Sequence, residues 1–274
     1  MNRHILDIQA QDLRQMWRER PADGHKGTFG HALLVAGCKG MGGAAVLAAE
    51  ACLRSGIGKL SVLTAMENHA VLHVAVPEAV LKLDHDVHEG MYNAIGMGPG
   101  MGQHAQGSDA LLHTLLQSVQ SPMVLDADAL NMLSANPEWQ ELIPSHSILT
   151  PHPKEAERLM GSNKLDDVAH FARIHRISIV LKGHPTHVFD ADGQEYVLNV
   201  GNAGMATAGR GDVLTGLVTG LLAQGYAPLE AALLGVWLHG TAGDYCRDEM
   251  GENCMLARDI IRHLPDAFRM IGNK

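Results

Sequence analysis

A chain of 274 residues with net charge −9, 46% hydrophobic and 19% charged, is a globular sequence of one or two domains. It lacks the charge excess of a disordered segment and the basic face that sequence-independent nucleic-acid binding needs, and no apolar run approaches the ~20 residues of a membrane span. The charged opening reads as neither secretory signal nor anchor, and cysteines 38, 52, 246 and 254 form no Cys-x-x-Cys pair, which points to free thiols in a reducing, cytoplasmic setting.

Residues 5–20 read as a helix stopping at Pro21, an N-terminal extension (1–24) on a single domain that accounts for 1–274. Ile5, Leu6, Ile8, Leu13, Met16 and Trp17 give this helix an apolar side that needs cover, from its own domain or from another subunit. HALLVAG (31–37) is a buried strand, 43–55 an Ala-rich helix stopped by Gly56, and KLSVLT (59–64) a second strand. A helical stretch precedes Pro77, YNAIGMG (92–98) is a third strand and 107–119 a helix. MVLDAD (123–128) and SHSILT (145–150) are the fourth and fifth strands, followed by helices over 153–160 and 166–175. ISIVLKG (177–183) is the sixth strand, and 186–199 a hairpin turning at Asp192-Gly193. Helices at 212–224, 228–249 and 257–270 complete the chain, and Leu234, Trp237 and Leu238 read as core. Strands alternating with helices require right-handed crossovers, so the expected fold is α/β, with a mostly parallel central sheet and helices on both faces.

In such sheets ligands sit beyond the carboxyl ends of the strands. The segments there are GCKGMGGA, GMGPGMG, DADALN, TPHPKE and KGHPT, and much of the unusual glycine content, 30 of 274, clusters among them. The sharpest is GNAGMATAGRGDVLTG (201–216), where Gly209, Arg210, Gly211 and Asp212 open a helix of small and apolar residues. Free N–H groups and the positive helix end would there face an anion. Asp212 falls at the expected cap position, either as a plain N-cap or as the working carboxylate of that anion site. No GKS or GKT makes this a Walker loop, and glycines 37, 40, 42 and 43 miss the dinucleotide fingerprint. Asp126 and Asp128 look like a carboxylate pair, with Asp128 equally readable as the cap of the next helix. The histidines make no zinc pattern, so no structural metal is expected.

GNAGMATAGRGDVLTG, together with TPHPKE, VLDADALN, GMGPGMG and HKGTFGHALLVAG, resembles the ADP/ATP-dependent NAD(P)H-hydrate dehydratases of the ribokinase-like superfamily. The match runs in order from His25 to the C-terminal ARDIIRHLP. The 24 residues upstream leave no room for a fused epimerase domain, so the resemblance is to the stand-alone dehydratase, acting beside a separate epimerase. Arg210 stands where the family usually has Ser, which would add charge near the phosphates, and Lys154 stands where Gly is common.

The resemblance implies a substrate, the hydrate of NADH or NADPH, whose 6-hydroxyl receives a phosphoryl group from ADP or ATP with Mg²⁺. Phosphate then leaves and the ring double bond returns. Asp212 would be the base on that hydroxyl, with the N–H groups of Gly209 to Gly211 steadying the phosphoryl group. Ala44, Gly102, His152 and Asp212 would touch the hydrate. Lys182, Gly183, His184, Pro185, Thr186 and Gly211 would hold the nucleotide, and Glu155 would lie near magnesium. Similar stand-alone enzymes imply a homotetramer. The competing readings are a small-molecule kinase of the same superfamily, of hydroxyethylthiazole or hydroxymethylpyrimidine type, and a nucleotide-binding regulatory module without catalysis.

Overall fold

The computed structural model describes residues 6–102 and 107–272. Ten strands form one sheet: β1 (Leu6–Asp7), β2 (His31–Val35), β3 (Lys59–Leu63), β4 (Val80–Lys82), β5 (Ala94–Met97), β6 (Met123–Leu125), β7 (Ile148–Leu149), β8 (Ser178–Leu181), β9 (Thr186–Phe189) and β10 (Glu195–Leu198). Their spatial order is β1-β10-β9-β8-β7-β6-β5-β2-β3-β4, and β9 is the strand that runs against its neighbours. The parallel majority follows from the helical crossovers, because a strand can return in the same direction only over a covering element.

Alternation along β2 shows why the sheet is covered twice. Ala32 and Leu34 face one core, Leu33 and Val35 the other, and all four are buried. The first core is closed by α1 (Ala10–Met16), α2 (Gly42–Arg54), α8 (Arg210–Ala223), α9 (Pro228–Met250) and α10 (Ala257–Gly272). The second is closed by α4 (Ser108–Ser118), α5 (Ala127–Ala135), α6 (Pro153–Met160) and α7 (Leu165–His175), while the short α3 (His69–Ala75) packs on α2 and adds Leu72 to the first core. Leu234, Trp237 and Leu238 are core, as their spacing indicates.

Helix α8 lies almost backbone to backbone on α2. A β-carbon on Gly216 would come within 2.0 Å of the Ala48 carbonyl oxygen, and one on Gly220 within 2.1 Å of Ser55 Oγ. The small residues of VLTGLVTG and GGAAVLAAEA are thus a packing requirement, and they fix where the amino end of α8 lies.

The N-terminal segment departs from the single helix expected over 5–20. Leu6 and Asp7 pair with Tyr196 and Val197, covering the open side of β10, and the helix is only Ala10–Met16. Pairing an open strand edge outweighs helical periodicity there. Ile5 lies outside the described residues. Leu13 is fully buried, and Trp17 packs on Phe268 and Tyr226 at ring-centroid distances of 5.5 and 6.5 Å. Apart from Leu6, which is 37% exposed, the apolar side is covered by the chain's own α9–α10 region, and it gives little support to a subunit interface.

Candidate active site

The carboxyl ends of the strands converge where the sheet order reverses, between β2 and β5. The loops leaving these two strands hold each other: Gly37 N donates to the Pro99 carbonyl at 2.9 Å and Cys38 N to the Gly100 carbonyl at 2.6 Å. Ala44, in the first turn of α2, is buried, and the β-carbon that Gly100 lacks would sit 2.8 Å from the Ala44 methyl. Beyond β6, Asp128 Oδ2 accepts the Gly102 N–H at 2.8 Å. Asp128 lies inside the first turn of α5 and is not its cap; that position belongs to Asp126.

Asp126 is the centre of the polar network. Its carboxylate is 2% exposed, with Lys182 Nζ at 2.7 Å from Oδ1 and Thr215 Oγ1 at 2.8 Å from Oδ2. Lys182, at the end of β8, also lies 3.7 Å from Glu155 Oε2. Burial works against the Lys182 charge, but Asp126 and Glu155 outweigh it and hold the pKa above the usual lysine value. The same segment therefore uses one carboxylate on the lysine side of the site and the other on the Gly102 loop.

Gly209 caps α8 in the left-handed region, at φ 88°, where a side chain would be strained. Asp212 is thus a first-turn residue and not the cap that its sequence position suggests. Its carboxyl pKa is pushed up to about 6, first by burial and then by the nearby Asp126 charge, against the pull of Lys182. A carboxylate so placed is ionised near neutrality yet basic enough to accept a proton.

His152 caps α6. Its Nδ1 accepts from the N–H groups of Lys154 and Glu155 at 3.1 and 3.3 Å, and Glu155 Oε2 accepts the His152 N–H at 2.8 Å. This capping box settles the tautomer: Nδ1 is the acceptor, so the proton is on Nε2.

Beside Lys182 and the start of α8 opens a cavity of about 610 Å³. Its walls include His152, Lys182, Gly183, His184, Thr186 and Gly211, all expected site residues. Pro185 joins His184 through a cis bond in the same loop, and Gly209 packs towards Leu47 and Ala257. A smaller cavity, about 150 Å³, lies past β2 and β3 against Gly37, Cys38, Thr64, Met101 and Ser108. Ala44, Gly102, Glu155 and Asp212 are in the wall of neither cavity; Gly102 adjoins the smaller one through its carbonyl, which accepts from Ser108 Oγ at 2.7 Å.

Arg210 lines the large cavity, with Nε and Nη1 unpaired and Nη2 tied to a neighbouring backbone carbonyl. The residue is 3% exposed, and its Nη2 donates to the Met255 carbonyl at 2.6 Å, tying α8 to the turn before α10. Burial lowers its pKa from the usual arginine value.

Among the described residues no three His, Cys, Asp or Glu side chains converge as a metal cage. Lys182 already neutralises Asp126 and one side of Glu155. Glu155 is engaged on both oxygens, Oε2 by the His152 N–H and Lys182 and Oε1 by His152 Nε2 at 3.4 Å, so a cation there would arrive with phosphates and compete for a single carboxylate oxygen.

Comparison with known proteins agrees with this geometry. The family model described as NAD(P)H-hydrate dehydratase matches residues 32–266. The ADP-dependent (S)-NAD(P)H-hydrate dehydratase of Neisseria meningitidis is 42% identical, over 90% of each chain. The bifunctional NAD(P)H-hydrate repair enzyme of Moorella thermoacetica is 37% identical over 98% of this chain but 54% of its own, so the chain spans about half the length of such relatives. Among solved structures, the ADP/ATP-dependent NAD(P)H-hydrate dehydratase of Bacillus subtilis, co-crystallised with ATP and Mg²⁺, superposes with a TM-score of 0.85 at 31% identity, covering 99% of both chains. Ribokinase of Thermotoga maritima, 10% identical with a TM-score of 0.56 over 86% of this chain and 99% of its own, shares the fold alone. With its sequence matched along most of its length and the same fold around a basic carboxylate, the chain belongs to the NAD(P)H-hydrate dehydratase family.

Proposed function

We propose that the chain dehydrates the 6-hydroxy hydrates of NADH and NADPH in a reaction driven by ADP or ATP, as a carbon–oxygen lyase of nucleotide repair. The observation that carries this reading is Asp212. A carboxyl group with a pKa of about 6 stands in the first turn of the helix whose amino end meets the large cavity. There it takes the proton of the 6-hydroxyl as the oxygen attacks the terminal phosphorus of the nucleotide. The N–H groups of Gly209 to Gly211 and the Lys182 ammonium balance the charge of the transferring group. The ring nitrogen lone pair then expels phosphate, a better leaving group than hydroxide, and loss of the C5 proton restores the double bond. Mg²⁺ held by Glu155 would neutralise phosphate charge.

Lys182, Gly183, His184, Pro185 and Thr186, with Gly211, form the nucleotide side. Ala44 and Gly102 form the hydrate side, with Asp212 between, and His152 reaches the hydrate from the wall of the large cavity. We place the enzyme in the cytoplasm as a homotetramer that works beside a separate epimerase. No helix of the described residues is long and apolar enough to cross a membrane. The tetramer rests on family resemblance, since the N-terminal helix is covered within the chain. The test mixes purified protein, Mg²⁺ and NADH hydrate with ADP or ATP and follows the returning absorbance of the reduced nicotinamide. No return with either nucleotide, or a stable phosphorylated product, would refute the dehydratase reading and favour a kinase.

A further inference from the structure

The wall of the large cavity holds two permanent cations, Lys182 and Arg210, and no aspartate or glutamate among its described residues. The surroundings of the two differ. Lys182 stands 2.7 Å from Asp126 and 3.7 Å from Glu155, and these carboxylates hold its pKa above the usual lysine value. Arg210 has no such pair. The residue is buried, its Nη2 donates to the Met255 carbonyl, and its Nε and Nη1 have no partner.

The groups that act on the guanidinium do not balance its charge. Asp259 is the carboxylate that pulls on it, but Oδ1 of Asp259 takes Arg262 Nη1 at 3.0 Å and Oδ2 takes the Leu256 N–H at 2.9 Å. The Cys246 thiol is pushed up to about 12, first by burial and then by Asp259, and stays neutral. The His239 ring is neutral too, because burial and then the Arg210 charge push its pKa down to about 4. His239 and Asn202 each keep an unpaired atom in the same wall, yet neutral groups of this kind can take an N–H without cancelling a charge. Burial therefore prevails at Arg210 and lowers its pKa, the reverse of what happens at Lys182. A buried charge in that condition destabilises the empty protein until an anion reaches it.

We propose that Arg210 is a retracted phosphate-binding residue, whose guanidinium comes forward from beneath the cavity wall when a phosphate enters and makes a charge-assisted hydrogen bond to it. This rests on the reading of the large cavity as the nucleotide site, and the phosphate is then one of those of ADP or ATP. The free nitrogens are themselves buried, so the contact needs a change of side-chain rotamer, which the one hydrogen bond to Met255 opposes. Arg210 is the first residue of α8, so its side chain adds a full charge to the N–H groups of the same turn. The empty protein is less stable for carrying this charge, and the nucleotide is held more tightly because of it.

The experiment compares the wild type with Arg210→Met, which keeps bulk and removes the charge, and with Arg210→Lys, which keeps the charge. Without ligand, Arg210→Met should melt about 2–4 °C above the wild type, because a buried unpaired charge is gone. In calorimetry the same variant should bind ADP at least about tenfold more weakly, and Arg210→Lys should bind it within about threefold of the wild type. An arginine that serves only to tie α8 to Met255 gives a lower melting temperature in Arg210→Met and an unchanged ADP affinity. Either of those results would overturn the proposal, as would a lysine variant that binds as weakly as the methionine one. A methionine variant that does not fold overturns it as well, because the charge is then part of what holds the empty protein together. Failure of the wild type to bind ADP would instead overturn the nucleotide reading of the cavity.

Discussion

Lys182 Nζ and Asp126 Oδ1 meet at 2.7 Å at the ends of two parallel strands, in a pair whose carboxylate is 2% exposed. The lysine therefore does two things at once. It satisfies a carboxylate that could not be left alone, and it moderates the upward push on Asp212. Lys182→Met should cost about 3 kcal/mol of stability, because it strands a buried charge. It should also move the acid limb of the rate profile to higher pH, since a cation that lowers the Asp212 pKa is gone. Chemical denaturation and a pH–rate series check both parts.

Asp212→Asn should abolish turnover, by about 10²–10⁴-fold, while ADP still binds. The amide keeps the shape and removes the base. Single-turnover kinetics and calorimetry on the same preparation test this, and a near-normal rate would contradict the mechanism.

The wild-type rate should rise with pH through about 6 and then level, because only the ionised Asp212 accepts the proton. Stability moves the other way. The folded-state pKa is raised above the ordinary aspartate value of 3.8, so this group's contribution is full below that value and is lost as pH rises through about 6. Asp212→Asn should therefore be more stable than wild type near pH 8, by about 1–3 kcal/mol, and the difference should shrink near pH 4. Thermal melts at the two pH values decide it.

Gly211→Val should weaken nucleotide binding by at least about tenfold. Unlike Gly209, Gly211 does not have a positive φ, so backbone strain is not the cause. Space is: a β-carbon there would lie 3.4 Å from Asp126 Oδ2 and 3.6 Å from Lys182 Nζ, and a branched side chain would reach further. Gly211→Ala, which adds only that β-carbon, should bind almost as well. Calorimetry on the pair separates crowding from conformation.

Light scattering after size exclusion should give a mass near four times 29.4 kDa. A mass near that of one chain would remove the tetramer.

Local pattern was enough to read most of this fold. The strand at His31–Val35, the helix at Pro153–Met160 and the hairpin turn at Gly193 all appear where periodicity and glycine place them. The two-residue β1 and three-residue β4 are too short to carry a period, and they exist because a neighbouring edge was open to pair. In the site, the glycines and aspartate of GRGD were legible because a helix start leaves a local signature. Asp126 was not legible in its role, since its partners Lys182 and Thr215 lie 56 and 89 residues away. For Arg210, sequence shows a charge beside a loop but not the carbonyl of Met255 to which its Nη2 is tied.

The contact of Gly216 and Gly220 with α2 has a mechanical consequence. Residues 48 and 52 of α2 meet residues 216 and 220 of α8 in the same order, so the two helices run side by side in one direction. One begins near Ala44, on the proposed hydrate side, and the other near Asp212. With no side chain on Gly216 or Gly220 to hold the helices apart, the pair behaves as a single stiff bar with Ala44 and Asp212 near its adjoining tips. The spacing of Ala44 and Asp212 is then set during folding, as in a machinist's fixture, and under the proposed function any mobility that admits or releases ligands has to come from the loops around the bar.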